Sequence, residues 1–279
     1  MILGRAQRGF EEDQGRGKLM LDFLSRHVTE FNNARVLDVG MGKGGIALAL
    51  SSRTGVVIGI DASLQGCRYL AAANREGAPH GAYVSVIRGA AERLPFADSR
   101  FDLVLMNGVL EWVGRDSANP REGQRLALSE VKRVLRPGGF FYLAIENRLF
   151  PAFLLMDPHT HQPLVNLLPR ALARAATKSF AGRPFGNYIY SWWGLERLLS
   201  PFFAERSYFL PMPHYHWPYA FVNFDISAEI RQKAKHLAAT RSLPFRYKTT
   251  LMYDTLISSF RLNRWLLPYF VVMSRKRMG

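Results

Sequence analysis

Apolar residues in this chain follow two patterns, short continuous runs and longer stretches at helical spacing. Short runs that contain β-branched residues are typical of strands covered on both faces of a sheet, and helical segments between such runs favour parallel connections. From residue 34 to 145 the alternation predicts strands near 35–39, 56–60, 84–88, 101–106 and 140–145, with helices between them. This region is therefore expected to form a parallel, doubly wound α/β sheet.

The run at the first predicted strand leads directly into a glycine turn. Val36, Leu37 and Val39 are followed by glycines at positions 40, 42, 44 and 45, and residues 46–50 then begin a helix. Glycines allow a backbone to approach a ligand closely, and the free N–H groups of a helix N-terminus favour negatively charged or polar groups. Strand, turn and helix together predict a nucleotide site, although a glycine turn alone is a weak signal.

The second predicted strand ends at a carboxylate. Asp61 lies twenty-one positions after Gly40, close to the ~20-residue offset at which an acidic residue meets ribose hydroxyls. Dinucleotide-binding folds use the same arrangement, but the glycines here run G-x-G-x-G rather than G-x-G-x-x-G. Asp38 also lies at the end of the first strand, where it would repel a pyrophosphate and attract a cation. A sulfonium ligand with an amino group fits these features better than a dinucleotide.

Four motifs in sequence order resemble the class I S-adenosylmethionine-dependent methyltransferases. They are Leu37–Gly44, Ala90–Phe96, Phe101–Leu105 and Glu130–Gly139. The resemblance implies S-adenosylmethionine as the cofactor, and a Rossmann-like sheet of seven strands that is mostly parallel with an antiparallel last strand. The family often has Asp where this chain has Ala90, so adenine recognition would depend on Glu92 and on backbone groups.

Ligands of such sheets bind beyond the carboxyl ends of the strands, where the strand order reverses. The residues that follow these strand ends are the predicted cofactor-binding set: Asp38, Gly40, Gly42, Gly44, Asp61, Ala62, Ala91, Glu92, Asn107 and Gly108. Glu146 and Asn147 also follow a predicted strand and are expected beside the cofactor or the acceptor. Glu111 lies one helical turn after the fourth strand and is a candidate for the acceptor side. For each of these residues the alternative role is a helix cap or a turn.

Two long segments interrupt the expected strand–helix alternation. We expect an N-terminal helical cap (1–33), a cofactor-binding core (34–146), an insertion that acts as a lid (147–190), a core helix and sixth strand (191–212), a second lid (213–266) that includes helices near 228–237 and 253–262, and a last core strand (267–279). Both insertions leave strands that should end at the same edge of the sheet, so both are predicted to cover the ligand pocket.

The formal charge of +15 is concentrated in the second half of the chain. Residues 147–279 contain 18 basic and 6 acidic side chains. This excess indicates an anionic or sugar-containing small molecule, a nucleic acid or a phospholipid surface as partner, although charge that only maintains solubility explains it equally well. The chain lacks an RNA-binding motif. After the fourth strand, Met106–Val109 differs from the Asn-Pro-Pro-Tyr type of tetrapeptide that is seen in amino-methylating nucleic-acid enzymes. Nucleic acid is therefore not the expected partner.

Cysteine content and hydropathy bear on the compartment. Cys67 is the single cysteine, the first residues lack the apolar core of a signal peptide, and no stretch reaches the ~18 apolar residues of a membrane span. We expect a cytoplasmic protein without a transmembrane segment, and peripheral membrane contact is compatible with the sequence.

Four histidines form two His-x-His pairs, one in each predicted insertion: His159 and His161, and His214 and His216. Such pairs can hold a metal ion, here with Asp157. Because neither pair lies on an evident strand and prolines flank both, no metal is expected. If the acceptor is a hydroxyl it must lose a proton, which makes His159, His161, His214, Glu111 and Asp157 the candidate bases. An amine acceptor would depend less on a general base.

These observations predict an S-adenosylmethionine-dependent methyltransferase that acts on a small molecule. The layout of the two insertions, with the segments 146–148, 157–159, 167–170 and 213–218, is similar to methyltransferases associated with bacterial surface-glycan pathways. This resemblance implies a hydroxyl of a saccharide or glycolipid as the acceptor. The alternative is an RNA- or DNA-directed methyltransferase, or a nucleic-acid-binding protein, that uses the basic C-terminal half.

Overall fold

The computed structural model describes residues 2–75, 83–115, 117, 119–157, 159, 161–181, 187–215, 217–240 and 243–278. Its strands are β1 (Arg35–Val39), β2 (Val56–Asp61), β3 (Val84–Arg88), β4 (Phe101–Asn107), β5 (Leu135–Glu146), β6 (Glu205–His214), β7 (Trp217–Asn223) and β8 (Tyr269–Arg275). They form one sheet in the order β3-β2-β1-β4-β5-β8-β6-β7.

The helices connect and cover these strands. They are α1 (Ile2–His27), α2 (Gly45–Ser51), α3 (Leu64–Arg75), α4 (Pro120–Val134), α5 (Pro151–Leu155), α6 (Arg170–Ala181), α7 (Trp192–Leu199), α8 (Ser227–Ala238), α9 (Phe245–Ser259) and α10 (Asn263–Leu266). Short 3-10 turns occur at Phe31–Asn33, Leu110–Trp112 and Val165–Leu167.

The sheet is parallel from β3 to β5 and antiparallel beyond it. Strand β8 pairs in the antiparallel sense with both β5 and β6, so β6 runs in the same direction as β5. The predicted α/β class, with a mostly parallel sheet and an antiparallel last strand, is confirmed. Strands β1, β2, β4, β5 and β6 all end at one edge of the sheet, the carboxyl edge.

Alternating side chains of the central strands enter two separate apolar layers. Leu37 and Val39 lie in one layer with residues of α4 and α7, whereas Val36 lies in the other with residues of α1 and α2. Neighbouring residues of a strand point to opposite faces, and both faces of this sheet are covered by helices. The apolar runs of the sequence therefore reflect burial on both sides.

The sheet contains one strand more than the predicted seven. Residues 217–223, which were placed in the second lid, form β7 and pair with β6 from Phe209↔Asn223 to His214↔Trp217. Prolines in this region concealed the pairing, because proline lacks the N–H that a strand normally donates. Pro211 and Pro213 lie beyond the part of β6 that pairs with β8, so only one neighbouring strand has to accommodate them.

The predicted helix near 253–262 was wrong in its bounds. Helix α9 begins at Phe245, directly after Pro244, and ends at Ser259. Its first turns contain Thr249 and Thr250, which are weak helix formers, but both hydroxyls donate hydrogen bonds to the carbonyl oxygen of Arg246. The division of the chain into cap, core and lids stays a prediction.

Candidate active site

A cavity of about 700 Å³ opens at the carboxyl edge beside β1, β2 and β4. Six members of the predicted cofactor-binding set line it: Gly40, Asp61, Ala62, Ala91, Glu92 and Gly108. Trp112, which follows β4, lines its opposite side. The volume is in the range of small-molecule and cofactor pockets, and its position is the ligand site of doubly wound sheets.

The glycine turn after β1 has one member that faces open space. Gly40, Gly42 and Gly44 all have positive φ angles. A side chain at position 40 would collide with Val109, and one at position 44 would collide with Leu70, whereas a Cβ at position 42 would meet no atom of the described residues within 4 Å. Gly40 and Gly44 thus let the turn pack closely, and Gly42 leaves room beside the backbone for a ligand.

Asp61 connects the end of β2 to the glycine turn. Its Oδ2 accepts a hydrogen bond from the N–H of Gly42 at 2.8 Å, and its Oδ1 accepts one from the N–H of Ser63 at 2.7 Å. Each carboxylate oxygen has a second acceptor site, so Asp61 can still bind two neighbouring hydroxyls of a ribose. The carboxylate is therefore held in place before a ligand arrives.

Replacing Asp61 by alanine should weaken binding of an adenosine-containing cofactor by about 10- to 100-fold, because charge-assisted hydrogen bonds contribute ~1.5–3 kcal/mol each. Titration calorimetry with S-adenosylmethionine measures this change. Asp22→Ala, which removes an exposed carboxylate of α1, is the matched control and should bind normally. Equal affinity of Asp61→Ala and the unmodified protein would remove Asp61 from the cofactor site.

Asp38 is a buried carboxylate below the glycine turn. It is 2% exposed, and among the described residues its Oδ2 has no hydrogen-bond partner. Burial, followed by the carboxylates of Asp13 and Asp61, raises the pKa of Asp38 to about 7, while Arg16 acts in the opposite direction. An unpaired buried carboxylate is costly, so a cationic ligand group at this position would be stabilised. The ammonium group of S-adenosylmethionine fits this requirement.

A second set of polar side chains lies at the same edge, and we call it the acid–histidine group: Glu111, Glu146 and His159. Glu111 is in the 3-10 turn after β4, Glu146 is the last residue of β5, and His159 follows α5 in the first insertion. One ligand atom from each lies within 4.8 Å of the others, and His159 Nε2 is 2.6 Å from Glu146 Oε2. Three distant segments therefore converge on one point.

Two buried side chains hold the loop that carries His159. Asp157 is fully buried, and its Oδ1 accepts a hydrogen bond from the N–H of His159 at 3.1 Å. Its Oδ2 accepts one from Asn166 Nδ2 at 2.9 Å, and Asn166 also donates to the carbonyl oxygen of Phe153. Asp157 thus fixes the loop rather than acting as a ligand or a base.

The acid–histidine group has altered protonation equilibria. Burial raises the pKa of Glu111 to about 8, with a further contribution from the carboxylate of Glu146, while a backbone N–H and His159 act in the opposite direction. Burial alone would lower the pKa of His159, but the nearby carboxylates, Glu146 first among them, raise it overall. Glu111 therefore titrates near neutral pH, as a general base should.

The same three donors are the one set among the described residues that is close enough to share a metal ion. Two observations favour a role in proton transfer over metal binding. The 2.6 Å separation of His159 Nε2 and Glu146 Oε2 is that of a direct ion pair. Glu111 Oε2, which is buried and without a hydrogen-bond partner among the described residues, is free to accept a proton.

Aromatic rings join the acid–histidine group to the cavity. Trp112 lines the cavity and packs edge-on against the ring of His159, with 4.9 Å between ring centroids. The hydroxyl of Tyr215 lies against Gly108, and the Oε1 of Glu111 is 3.6 Å from the position of a Cβ on that glycine. Because Gly108 also lines the cavity, the carboxyl of Glu111 lies next to the predicted cofactor site.

Asn107, another member of the predicted cofactor-binding set, lies between two tyrosine hydroxyls. Asn107 Nδ2 is 3.5 Å from the hydroxyl of Tyr215, and the hydroxyl of Tyr142 is 3.5 Å from Asn107 Oδ1. Asp38, Gly42, Gly44 and Asn107 are outside the set that lines the cavity. Their roles in cofactor binding stay predictions.

The other candidate histidines are not brought into the acid–histidine group. His161 is exposed, and its backbone has a positive φ of 55°. A ring nitrogen of His214 is hydrogen-bonded to the hydroxyl of Tyr269 at 2.7 Å, and burial followed by the charges of Arg16 and Arg246 lowers the pKa of His214 to about 4. His216 lies outside the described residues. Of the histidine candidates that the structure describes, His159 alone joins Glu111.

Two residues of this region were absent from the predicted site. Tyr215 follows β6 and stacks on Tyr269 with 5.5 Å between ring centroids. The guanidinium of Arg16, on α1, lies 4.9 Å from the centroid of the Tyr215 ring. Glu146 was expected at this edge because it follows a predicted strand, whereas no local pattern marks Tyr215 or Arg16.

Comparison with known proteins gives concordant matches. The methyltransferase domain family matches residues 37–143. The malonyl-[acyl-carrier protein] O-methyltransferase of Pseudescherichia vulneris is 31% identical over 207 residues, which are 71% of this chain and 71% of that protein. The demethylmenaquinone methyltransferase of Symbiobacterium thermophilum is 33% identical over 188 residues, which are 63% of this chain and 71% of that protein.

Other matches are limited in coverage or in identity. A biotin biosynthesis bifunctional protein of Cellvibrio japonicus is 34% identical over 128 residues, so this chain spans 22% of its length. An S-adenosylmethionine-dependent methyltransferase structure from Methanosarcina mazei superimposes with a TM-score of 0.53 at 17% identity, and covers 92% of this chain and 98% of that chain. The [4+2]-cyclase SpnF superimposes with a TM-score of 0.52 at 19% identity over 94% of this chain and 82% of that chain. The solved structures thus support the fold, while the acceptor has to be inferred from the site.

Proposed function

Because this chain belongs to the class I S-adenosylmethionine-dependent methyltransferases, we propose that it methylates a hydroxyl group of a small-molecule acceptor, and specifically of a saccharide or glycolipid. The cofactor is S-adenosylmethionine, whose sulfonium supplies the methyl group when it is bound. The observation that carries the proposal is the buried carboxyl of Glu111 beside Gly108, at the edge of the cofactor cavity.

The residues of the cofactor side have distinct tasks in this proposal. Asp38 accepts hydrogen bonds from the ammonium group, Asp61 holds the ribose, and Gly42 leaves room for the ligand beside its backbone. Glu92 and the backbone near Ala91 line the part of the cavity next to the loop after β3, where the adenine would lie. Methyl transfer needs accurate alignment more than covalent assistance, so a preorganised pocket is the main contribution of the protein.

The acid–histidine group is suited to a hydroxyl acceptor. A neutral hydroxyl has to lose its proton as the new C–O bond forms, and Glu111, with a pKa of about 8, can accept that proton near neutral pH. The ion pair of His159 with Glu146 fixes the imidazole beside Glu111. An ionised carboxylate acceptor has no proton to lose and needs no base, so a hydroxyl is the acceptor that makes use of Glu111.

Aromatic rings favour a saccharide as the part of the acceptor that enters the site. Trp112 is 38% exposed and lines the cavity, and the hydroxyl of Tyr215 lies against Gly108 near the carboxyl of Glu111. Sugar rings pair an apolar face with hydroxyl groups around their edge, and such rings and carboxylates together complement both features. This arrangement supports the saccharide or glycolipid assignment.

Transfer of a labelled methyl group tests the chemical class of the acceptor. The protein is incubated with methyl-labelled S-adenosylmethionine and, separately, with a saccharide or glycolipid fraction, a fatty acid and an amine. The expected product is a methyl ether, so the label should remain attached after mild alkali, which hydrolyses methyl esters. Label that is released by alkali, or that is found on amines alone, would contradict a hydroxyl acceptor and leave the methyltransferase assignment intact.

A further inference from the structure

Helix α9 has apolar side chains on two opposite faces. One face packs into the core through Leu251 and Ile257. The other is exposed to solvent, and we call it the exposed row: Phe245 (81% exposed), Met252 (69%), Leu256 (56%) and, directly after the helix, Phe260 (68%). Spacings of seven, four and four residues align these side chains along one side of a helix. The 15-residue helix is about 22 Å long, so the row is an extended apolar surface.

The charges around the exposed row are mostly positive. Lys248 and Arg246 flank it on α9, and the one acidic side chain of this helix, Asp254, is buried. From residue 227 to 266 the chain contains eight Lys and Arg against two Asp and Glu. Arg264, near Phe260, is paired with Asp225 at 2.9 Å, so the other basic residues provide the excess charge.

We propose that the exposed row docks α9 onto the surface of a bilayer that contains anionic phospholipids. Apolar side chains on one face of a helix, with basic residues beside them, are the combination that interfacial helices use, because apolar contact and attraction to anionic headgroups act together. Among the described residues no helix is long and apolar enough to cross a bilayer, so the contact is peripheral.

A second copy of the chain is a poorer occupant of this surface. Two exposed rows placed face to face would bring together two surfaces whose flanking side chains are mostly positive, and like charges in contact oppose association. An anionic lipid surface instead neutralises these charges. Charge complementarity therefore selects the lipid over self-association.

The position of α9 connects the exposed row to the proposed acceptor site. The first turn of α9 carries Tyr247, whose ring centroid is 5.9 Å from that of His214. His214 contacts Tyr269 at 2.7 Å, and Tyr269 pairs in register with Glu146 of the acid–histidine group. Docking of the row would thus place the carboxyl edge near the headgroup layer, which suits a glycolipid acceptor if the proposed function holds.

Vesicle co-sedimentation tests the docking without acceptor or cofactor, so its outcome is independent of the proposed function. The protein should sediment with vesicles of phosphatidylcholine mixed with phosphatidylglycerol, and at least ~10-fold less with phosphatidylcholine alone or at high salt. The double variant Met252→Glu/Leu256→Glu should bind the anionic vesicles at least ~10-fold more weakly than the unmodified protein.

The matched control is Leu126→Glu, which places the same charge at an exposed leucine of α4 and should bind as the unmodified protein does. Circular dichroism establishes that the variants are folded, and Phe245→Glu provides a second, single substitution in the row. The proposal is overturned if the unmodified protein does not sediment with anionic vesicles, or if the double variant sediments equally well. Light scattering that shows a dimer dissociated by the double substitution would assign the row to a second copy instead.

Discussion

Gly42→Val is expected to raise the dissociation constant for S-adenosylmethionine by at least about 100-fold, equivalent to ~2.7 kcal/mol. Gly42 has a φ of 59°, in the left-handed region that a β-branched residue adopts only with strain. A Cβ at this position would meet no atom of the described residues within 4 Å, so the isopropyl group would enter the space that is assigned to the ligand. The same turn also donates the hydrogen bond that positions Asp61.

Gly42→Ala separates the two causes of this loss. Alanine has the same unfavourable backbone angle and adds a single carbon, so its affinity should lie between those of the unmodified protein and Gly42→Val. Titration calorimetry measures all three affinities, and thermal melting monitors the fold. Tight binding by a folded Gly42→Val protein would show that the ligand does not approach this turn.

Glu111→Gln is expected to lower kcat by about 10²- to 10⁴-fold, the usual contribution of a positioned general base. The amide group of glutamine has the size and shape of the carboxyl group of glutamate, but it cannot accept the proton of a hydroxyl. The affinity for S-adenosylmethionine should change little, because the substitution keeps the size of a side chain that is assigned to the acceptor and not to the cofactor. Steady-state kinetics with the acceptor identified by labelling measure the effect, and Glu122→Gln, an exposed residue of α4, is the matched control.

The pH dependence gives a second readout for Glu111. The unmodified protein needs the ionised carboxylate as a base, so kcat should rise with pH up to about 8 and then level off. The pKa of Glu111 is raised by folding from 4.5 to about 8, so the native state retains a proton that the unfolded state loses. Its contribution to stability therefore falls as pH rises through this interval.

Glu111→Gln should remove this fall in stability, and its melting temperature at pH 8 should equal or exceed that of the unmodified protein. Addition of a chelator should leave kcat unchanged. An unaltered kcat in Glu111→Gln would exclude the carboxyl as the base. A requirement for a divalent cation would reassign the acid–histidine group to metal binding.

Local signals in the sequence determined the core of the fold and the family. The apolar runs that predict β1, β4 and the second half of β5 are buried on both faces of the sheet, and burial on both faces is what produces such runs. The glycine turn and Asp61 could be placed together because parallel strands β1 and β2 end at the same edge, and the hydrogen bond between Gly42 and Asp61 follows from that pairing. The glycine motif and the parallel direction of β1 and β2 were sufficient to predict that the turn and Asp61 lie together.

Only the tertiary structure decided which side chains form the proposed acceptor site. Glu111, Glu146 and His159 come from three segments, and their convergence depends on how the first insertion folds over the carboxyl edge. Burial of Asp157, not the His-x-His spacing, directs the loop of His159, and His161, two residues later, is exposed.

The second half of the chain shows the same dependence on tertiary contacts. Prolines concealed β7 in the sequence. They are tolerated because the part of β6 that contains Pro211 and Pro213 pairs with β7 and extends beyond β8. That pairing brings Tyr215 to Gly108, more than a hundred residues away in sequence. Hydrophobic periodicity records which face of an element is buried, but it does not record which distant element covers that face. Tyr215, Arg16 and the exposed row of α9 therefore became evident only from the packed structure.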